Sequence, residues 1–136
     1  MEKPLDILLI EDDIDDVDLL KEALNDNNVH YKMQVIMEGD KVYSYLKESE
    51  KLPGIIVMDL NLPKTGGKEI LQEIKSTTPF INIPIIVLTT SSSKDDMDYC
   101  NKMGISRFIT KPATIEGWNS TINSIVDVAT TTTNNN

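Results

Sequence analysis

The sequence predicts an α/β fold, an open and doubly wound sheet of five parallel strands flanked by five helices. Three observations carry that prediction. Short apolar runs alternate along the chain with amphipathic segments, the runs are continuously apolar, and acids, threonines and a lysine stand where several of them end. Continuous apolar character, as opposed to period-two alternation, marks strands covered on both faces, as in a parallel sheet between two helical layers.

The apolar runs fall at residues 5–10, 33–37, 55–58, 83–88 and 107–110. Helical spacing fills the gaps between them. Val17, Leu20 and Leu24 mark the first helix, Val42, Tyr45 and Leu46 the second, and Ile70, Leu71 and Ile74 the third. The fourth, over 92–103, is weaker, with Met97 and Met103 its clearest apolar positions. In the fifth, Ile115, Trp118, Ile122, Ile125 and Ala129 step by three and four residues and predict a core-facing stripe. One domain over residues 4–128 accounts for these elements. The polar end, 129–136 with its TTTTNNN run, offers nothing to pack and is expected to be disordered.

Composition narrows the function. The 136 residues suffice for a core without disulfides or structural metal. A net charge of −9 with no basic cluster argues against nucleic-acid binding. No apolar run reaches the roughly 18 residues of a membrane span, and MEKPLDILLI lacks the pattern of a signal peptide. The lone Cys100 excludes an internal disulfide and suits a reducing cytoplasm, the expected location.

In such sheets ligands bind beyond the carboxyl ends of the strands. The first run ends in Glu11, Asp12 and Asp13, the third in Asp59, the fourth in Thr89 and Thr90, and the fifth in Lys111 and Pro112. The second ends in Met37, Glu38 and Gly39, with no evident role. Each residue also has a plainer reading. Asp13 is favoured as a helix N-terminal acid, Thr89 would simply end a strand, and Lys111 would sit in solvent as most lysines do. Jointly the plain readings fail, because independent accidents would not gather all these groups on one edge.

Chemistry gives the gathering a purpose. Clustered carboxylates repel one another unless protonated or bound to a cation. Oxygen ligands suit Mg²⁺, which takes one or two carboxylates, phosphate oxygens and water. A carboxylate beside such an ion can attack phosphorus and form an acyl phosphate. A lysine would balance the phosphoryl charge, and the Thr89 hydroxyl would donate to another phosphoryl oxygen. The set therefore reads as a phosphorylation site on Asp59.

The motifs ILLIEDD, VMDLNLPKTGG, PIIVLTTS and FITKP resemble the response-regulator receiver domain of two-component signalling, which has the flavodoxin-like fold, over about residues 4–128. That resemblance implies Asp59 as phosphoacceptor and Mg²⁺ as cofactor. It implies Asp12 as a direct metal ligand, Glu11 as a ligand through water, and Asn61 as a ligand through its backbone carbonyl. It also implies Thr89 and Lys111 as phosphoryl contacts, Phe108 as an aromatic switch, and a cis peptide at Lys111–Pro112. The long segment KSTTPFINIPIIVLTTSS is similar to small single-domain regulators paired with bacteriophytochrome-type kinases. Two departures stand out: Thr90 replaces a small residue and would narrow access to Asp59, and Gly66 replaces an Asp, leaving Gly67 as the turn glycine.

By this resemblance the partners are a sensor histidine kinase, phytochrome-like by the subgroup, and a downstream protein or phosphotransfer partner. The switch face would be formed by the fourth helix, fifth strand and fifth helix, a face open to homodimerisation. Trp118 is expected to be partly buried near Phe108's strand and to sense the change. Two rival readings fit less well. A Mg-dependent aspartyl-phosphate phosphohydrolase wants an acid two residues after its nucleophile, where Asn61 cannot serve. A non-phosphorylated pseudo-receiver would have lost an acid, the threonine or the lysine, and none is missing.

Overall fold

The computed structural model describes the backbone of residues 3–134 and the side chains of residues 3–131. Five strands and five helices alternate through the chain. In order they are β1 (Leu5–Ile10), α1 (Ile14–Asp26), β2 (Tyr31–Ile36), α2 (Val42–Glu48), β3 (Ile55–Met58), α3 (Gly67–Lys75), β4 (Ile85–Thr89), α4 (Lys94–Lys102), β5 (Arg107–Thr110) and α5 (Ile115–Asn134). All strand pairs are parallel, in the order β2-β1-β3-β4-β5. The order reverses at β1 and β3, so the crevice for a ligand opens at their carboxyl ends.

The continuous apolar runs are explained by two cores. Ile7 and Leu9, Ile55 and Val57, and Ile86 and Leu88 face α1 and α5. Their alternating neighbours Leu8 and Ile10, Ile56 and Met58, and Ile85 and Val87 pack under α2 and α3, with Cys100 of α4 in the same core. Side chains alternate across a strand, so a strand covered twice must be apolar at every position. The edge strand β2 is covered less: Lys32 and Gln34 are exposed between half-buried Tyr31, Met33 and Val35. It starts at Tyr31, two residues before its apolar run, because it pairs with β1 from Leu5 onward.

Several expectations need correction. In α4 the inward residues are Cys100, fully buried, with Tyr99 and Met103 packed beside it, while Met97 is 38% exposed. Positions 99, 100 and 103 share one face of a 3.6-residue helix, and position 97 lies off it. In α5 burial begins at Trp118; Ile115, one turn earlier, is 74% exposed. The Lys111–Pro112 bond is not cis; among the described residues the cis bond is Thr78–Pro79. The trans form is favoured by about 0.5–1 kcal/mol even before proline. Helix α5 also continues to Asn134, through most of the segment expected to be disordered. Val128 and Ala129 are buried there, and the Thr130 hydroxyl donates to the Val126 carbonyl, satisfying itself within the helix. Residues 135–136 lie outside the described residues. Among the described residues no helix is long and apolar enough to cross a membrane.

The placement of α5 is testable at two positions. Ile125→Ala removes a fully buried side chain from the α1–α5 core and should cost about 2–5 kcal/mol. Ile115→Ala, at the exposed first turn, should stay within about 0.5 kcal/mol. Urea unfolding measures both, and equal losses would contradict the helix orientation.

Candidate functional site

The site is assembled by strand register. Ile10 pairs with Met58 across β1 and β3. The next residues, Glu11 and Asp59, are therefore set side by side as the two strands end. Backbone bonds carry both strands one step further: Asp59 N–H donates to Ile10 O at 3.0 Å, and Glu11 N–H donates to Ile36 O at 3.0 Å. Lys111 arrives in the same way from the sheet's edge, its N–H on Thr89 O at 2.8 Å. Both carboxylates are buried, Glu11 at 3% and Asp59 at 4% exposure. A buried charge needs a partner.

That partner is the Lys111 ammonium. Its Nζ stands 2.8 Å from Glu11 Oε1, 2.7 Å from Asp16 Oδ2 and 2.7 Å from Asp59 Oδ2. The remaining acceptor sites are also engaged. Glu11 Oε2 accepts the Asp13 N–H at 3.1 Å, and Asp59 Oδ1 accepts the Asn61 N–H at 3.0 Å. Burial raises the Glu11 pKa, with Lys111 and the Asp13 N–H countering it and the Asp59 charge adding to it. For Lys111, burial alone would favour the neutral amine. The hydrogen bonds it donates to Asp16, Asp59 and Glu11 outweigh it and hold the ammonium's pKa well above the ordinary lysine range. The two shifts differ in origin: burial lifts the Glu11 carboxyl, whereas carboxylate partners lift the Lys111 ammonium against burial.

Carboxylate oxygens of Glu11, Asp12 and Asp59 all lie within 4.8 Å of one another, with Asp12 on the exposed side. Three acids and one exposed edge fit a hard divalent cation that keeps part of its water. Thr89 is fully buried at the end of β4, between β3 and β5. Its hydroxyl accepts the Ser91 N–H at 3.4 Å, a long bond that is easily exchanged. Asn61 is exposed beyond Asp59, and Thr90 is exposed beyond Thr89. Phe108 is half-buried against the core under α2 and α3, whereas Trp118, at 6% exposure, sits on the opposite sheet face with α1. Trp118 thus lies near Phe108's strand as expected, in the core against which Ile109 packs, while Phe108 itself faces the other core because side chains alternate along β5.

Sequence reasoning missed two contributors. Asp16, an acid in the first turn of α1, takes one of the lysine's bonds. The available signal was its place one helical turn after Asp12 and Asp13, on the face returning to the strand end. Asp13 itself caps α1, its side chain accepting the Asp15 N–H at 2.9 Å. The end of β2 also has a role. Glu38 pairs with Lys64 of the loop after β3 at 2.7 Å. A Cβ on Gly39 would stand 2.4 Å from the Thr65 carbonyl oxygen, and one on Gly67 2.4 Å from Leu60 Cα. Both glycines therefore let the 60–67 loop pack closely beside Asp59.

Residues 7–123 match the response regulator receiver domain. Among curated proteins the chain is 34% identical over 113 residues to response regulator Rcp1 of Synechocystis sp., covering 79% of this chain and 77% of that protein. Among solved structures it is similar to the phosphorylated cyanobacterial phytochrome response regulator RcpA, at 32% identity and a TM-score of 0.82, covering 90% of this chain and 91% of that one. It is likewise similar to the Mn²⁺-bound form of Rcp1, at 30% identity and a TM-score of 0.80, with coverage of 90% and 91%.

The Glu11 shift has a sign that can be measured. A carboxyl whose folded pKa is raised binds its proton more tightly in the native state. Its ionisation therefore costs stability above that pKa, and the cost disappears as pH falls through it. Without added metal, Glu11→Gln should melt at or above the unchanged chain at neutral pH, and the two should converge on acidification. Thermal melts across that range would show the reverse if Lys111 pairing dominated burial.

Proposed function

We propose, on the premise that the chain belongs to the response regulator receiver domain family of two-component signalling, that Asp59 accepts a phosphoryl group from a sensor histidine kinase and thereby switches a protein-binding face. The observation that carries this reading is the Lys111 ammonium shared by Glu11, Asp16 and Asp59 beside an acidic edge open to a cation. An Asp59 oxygen forms a bond to phosphorus while the phosphorus–nitrogen bond to the kinase histidine breaks, and the leaving imidazole takes a proton. When bound through Asp12, Asp59, the Asn61 carbonyl and, through water, Glu11, Mg²⁺ supplies neutralisation of the phosphoryl oxygens.

The chain's own residues complete the switch. Lys111, already 2.7 Å from Asp59, follows the new phosphoryl charge. Thr89, whose oxygen accepts the Ser91 N–H, donates its own O–H to a phosphoryl oxygen, and Phe108 turns inward as the loop follows. Shifting a two-state balance from about 1:99 to 99:1 needs roughly 5.5 kcal/mol. One new charged hydrogen bond from Thr89, at about 1.5–3 kcal/mol, together with a contact that Lys111 already makes, supplies only part of it. Phosphorylation therefore enriches a minor active state already present. The kinase is phytochrome-like by similarity to RcpA. The output passes to a downstream protein, a phosphotransfer partner or a second copy through the α4–β5–α5 face, and the setting is the cytoplasm.

A small-molecule phosphodonor with Mg²⁺ should label the chain at one site, and hydroxylamine should remove the label. Asp59→Asn should abolish labelling; labelling that persists would reject the acceptor. Asp12→Asn should weaken Mg²⁺ binding far more than Asp13→Asn, because Asp13 serves as the α1 cap. Phosphorylation should also alter Trp118 emission or increase a dimer seen by sedimentation. If neither moves, the α4–β5–α5 face is not the output surface.

A further inference from the structure

Lys111 and a divalent cation would draw on the same oxygens. An ammonium has three donors, and here Glu11, Asp16 and Asp59 lie at 2.8, 2.7 and 2.7 Å to take them. Two of those acids, Glu11 and Asp59, also belong to the group that fits a cation, together with Asp12. Asp16 stands only on the lysine's side. A cation entering the pocket therefore draws Glu11 and Asp59 toward itself and repels the ammonium, and Asp16 is the partner the ammonium keeps.

The position of Asp16 suits this. Its side chain is 21% exposed, against 4% and 5% for Glu11 and Asp59, so it lies at the mouth of the pocket. It is carried by a rigid element, since α1 is capped by Asp13 and anchored through buried Val17 and Leu20. We propose that Asp16 is a positioning residue that holds the Lys111 ammonium to the α1 side and so leaves Glu11 and Asp59 available to a divalent cation. This rests on reading Glu11, Asp12 and Asp59 as the metal site. Loss of the Asp16 charge has one sign: the ammonium falls back onto two carboxylates the cation needs, and the pocket loses negative potential.

Calorimetric titration of the full chain with MgCl₂ tests it. Asp16→Asn should weaken Mg²⁺ binding roughly three- to tenfold, the scale of coupling between groups that share a partner. Asp15→Asn removes the same charge from the same turn at an exposed position and should cost less than about twofold. In a Lys111→Met background, the Asp16→Asn loss should shrink to the Asp15→Asn level. Asp16→Glu, which keeps a carboxylate, should stay within about twofold of the unchanged chain. Equal losses for Asp15→Asn and Asp16→Asn would overturn the proposal, as would the same Asp16→Asn loss in both backgrounds or no rescue by Glu. No Mg²⁺ binding by the unchanged chain, or no weakening in Asp12→Asn, would instead sink the metal-site reading and this proposal with it.

Discussion

One ammonium decides how the rest of this molecule is arranged. Lys111 is 8% exposed in its side chain and lies against three carboxylates drawn from the end of β1, the first turn of α1 and the end of β3. None of these charges could be buried alone without a large desolvation penalty. Together they satisfy one another, and among the described residues no buried side-chain polar atom lacks a hydrogen-bond partner. The lysine reaches them from the edge strand, so it spans β4 and ties the sheet's rim to its centre. A change in the charge on Asp59 therefore acts first on this lysine, which stands 2.7 Å away.

The apolar sheet makes that burial tolerable. β1, β3 and β4 are filled on both faces and fix their carboxyl ends without freedom to slip, because a one-residue shift would exchange the two cores. Around this rigid floor the loops are held by specific contacts. Gly39 and the Glu38–Lys64 pair brace the 60–67 loop beside Asp59. The loop after β4 is tied differently. Ser91 donates its hydroxyl to Asp96 at 2.5 Å, Asp96 pairs with Lys68 of α3 at 2.6 Å, and the Tyr99 hydroxyl donates to the Lys68 carbonyl at 3.1 Å. These links join α4 to α3 beside the loop that begins at Thr89. They are partly exposed and individually weak.

The sequence by itself determined the architecture and most of the pocket. Runs apolar at every position require two-sided burial, and the residues that end them must share one edge of a parallel sheet. For that reason Glu11, Asp12, Asp59, Thr89 and Lys111 could be brought to one edge from the sequence alone, and Asp13 set apart from them as a helix N-terminal acid. What only the tertiary structure decided concerns direction and partnership. Periodicity placed Ile115 and Met97 on helix faces, but burial depends on where each helix meets the sheet, and neither is buried. Composition implied a loose end after residue 128, yet helical hydroxyl bonding and buried Ala129 extend α5. Asp16 shows the difference most clearly: in the sequence it is one acid among five in EDDIDD, with the charge pattern of any helix N-terminus. Only the reach of Lys111 past the end of β4 singles it out, because that choice rests on a contact between residues 95 positions apart, which no local pattern records.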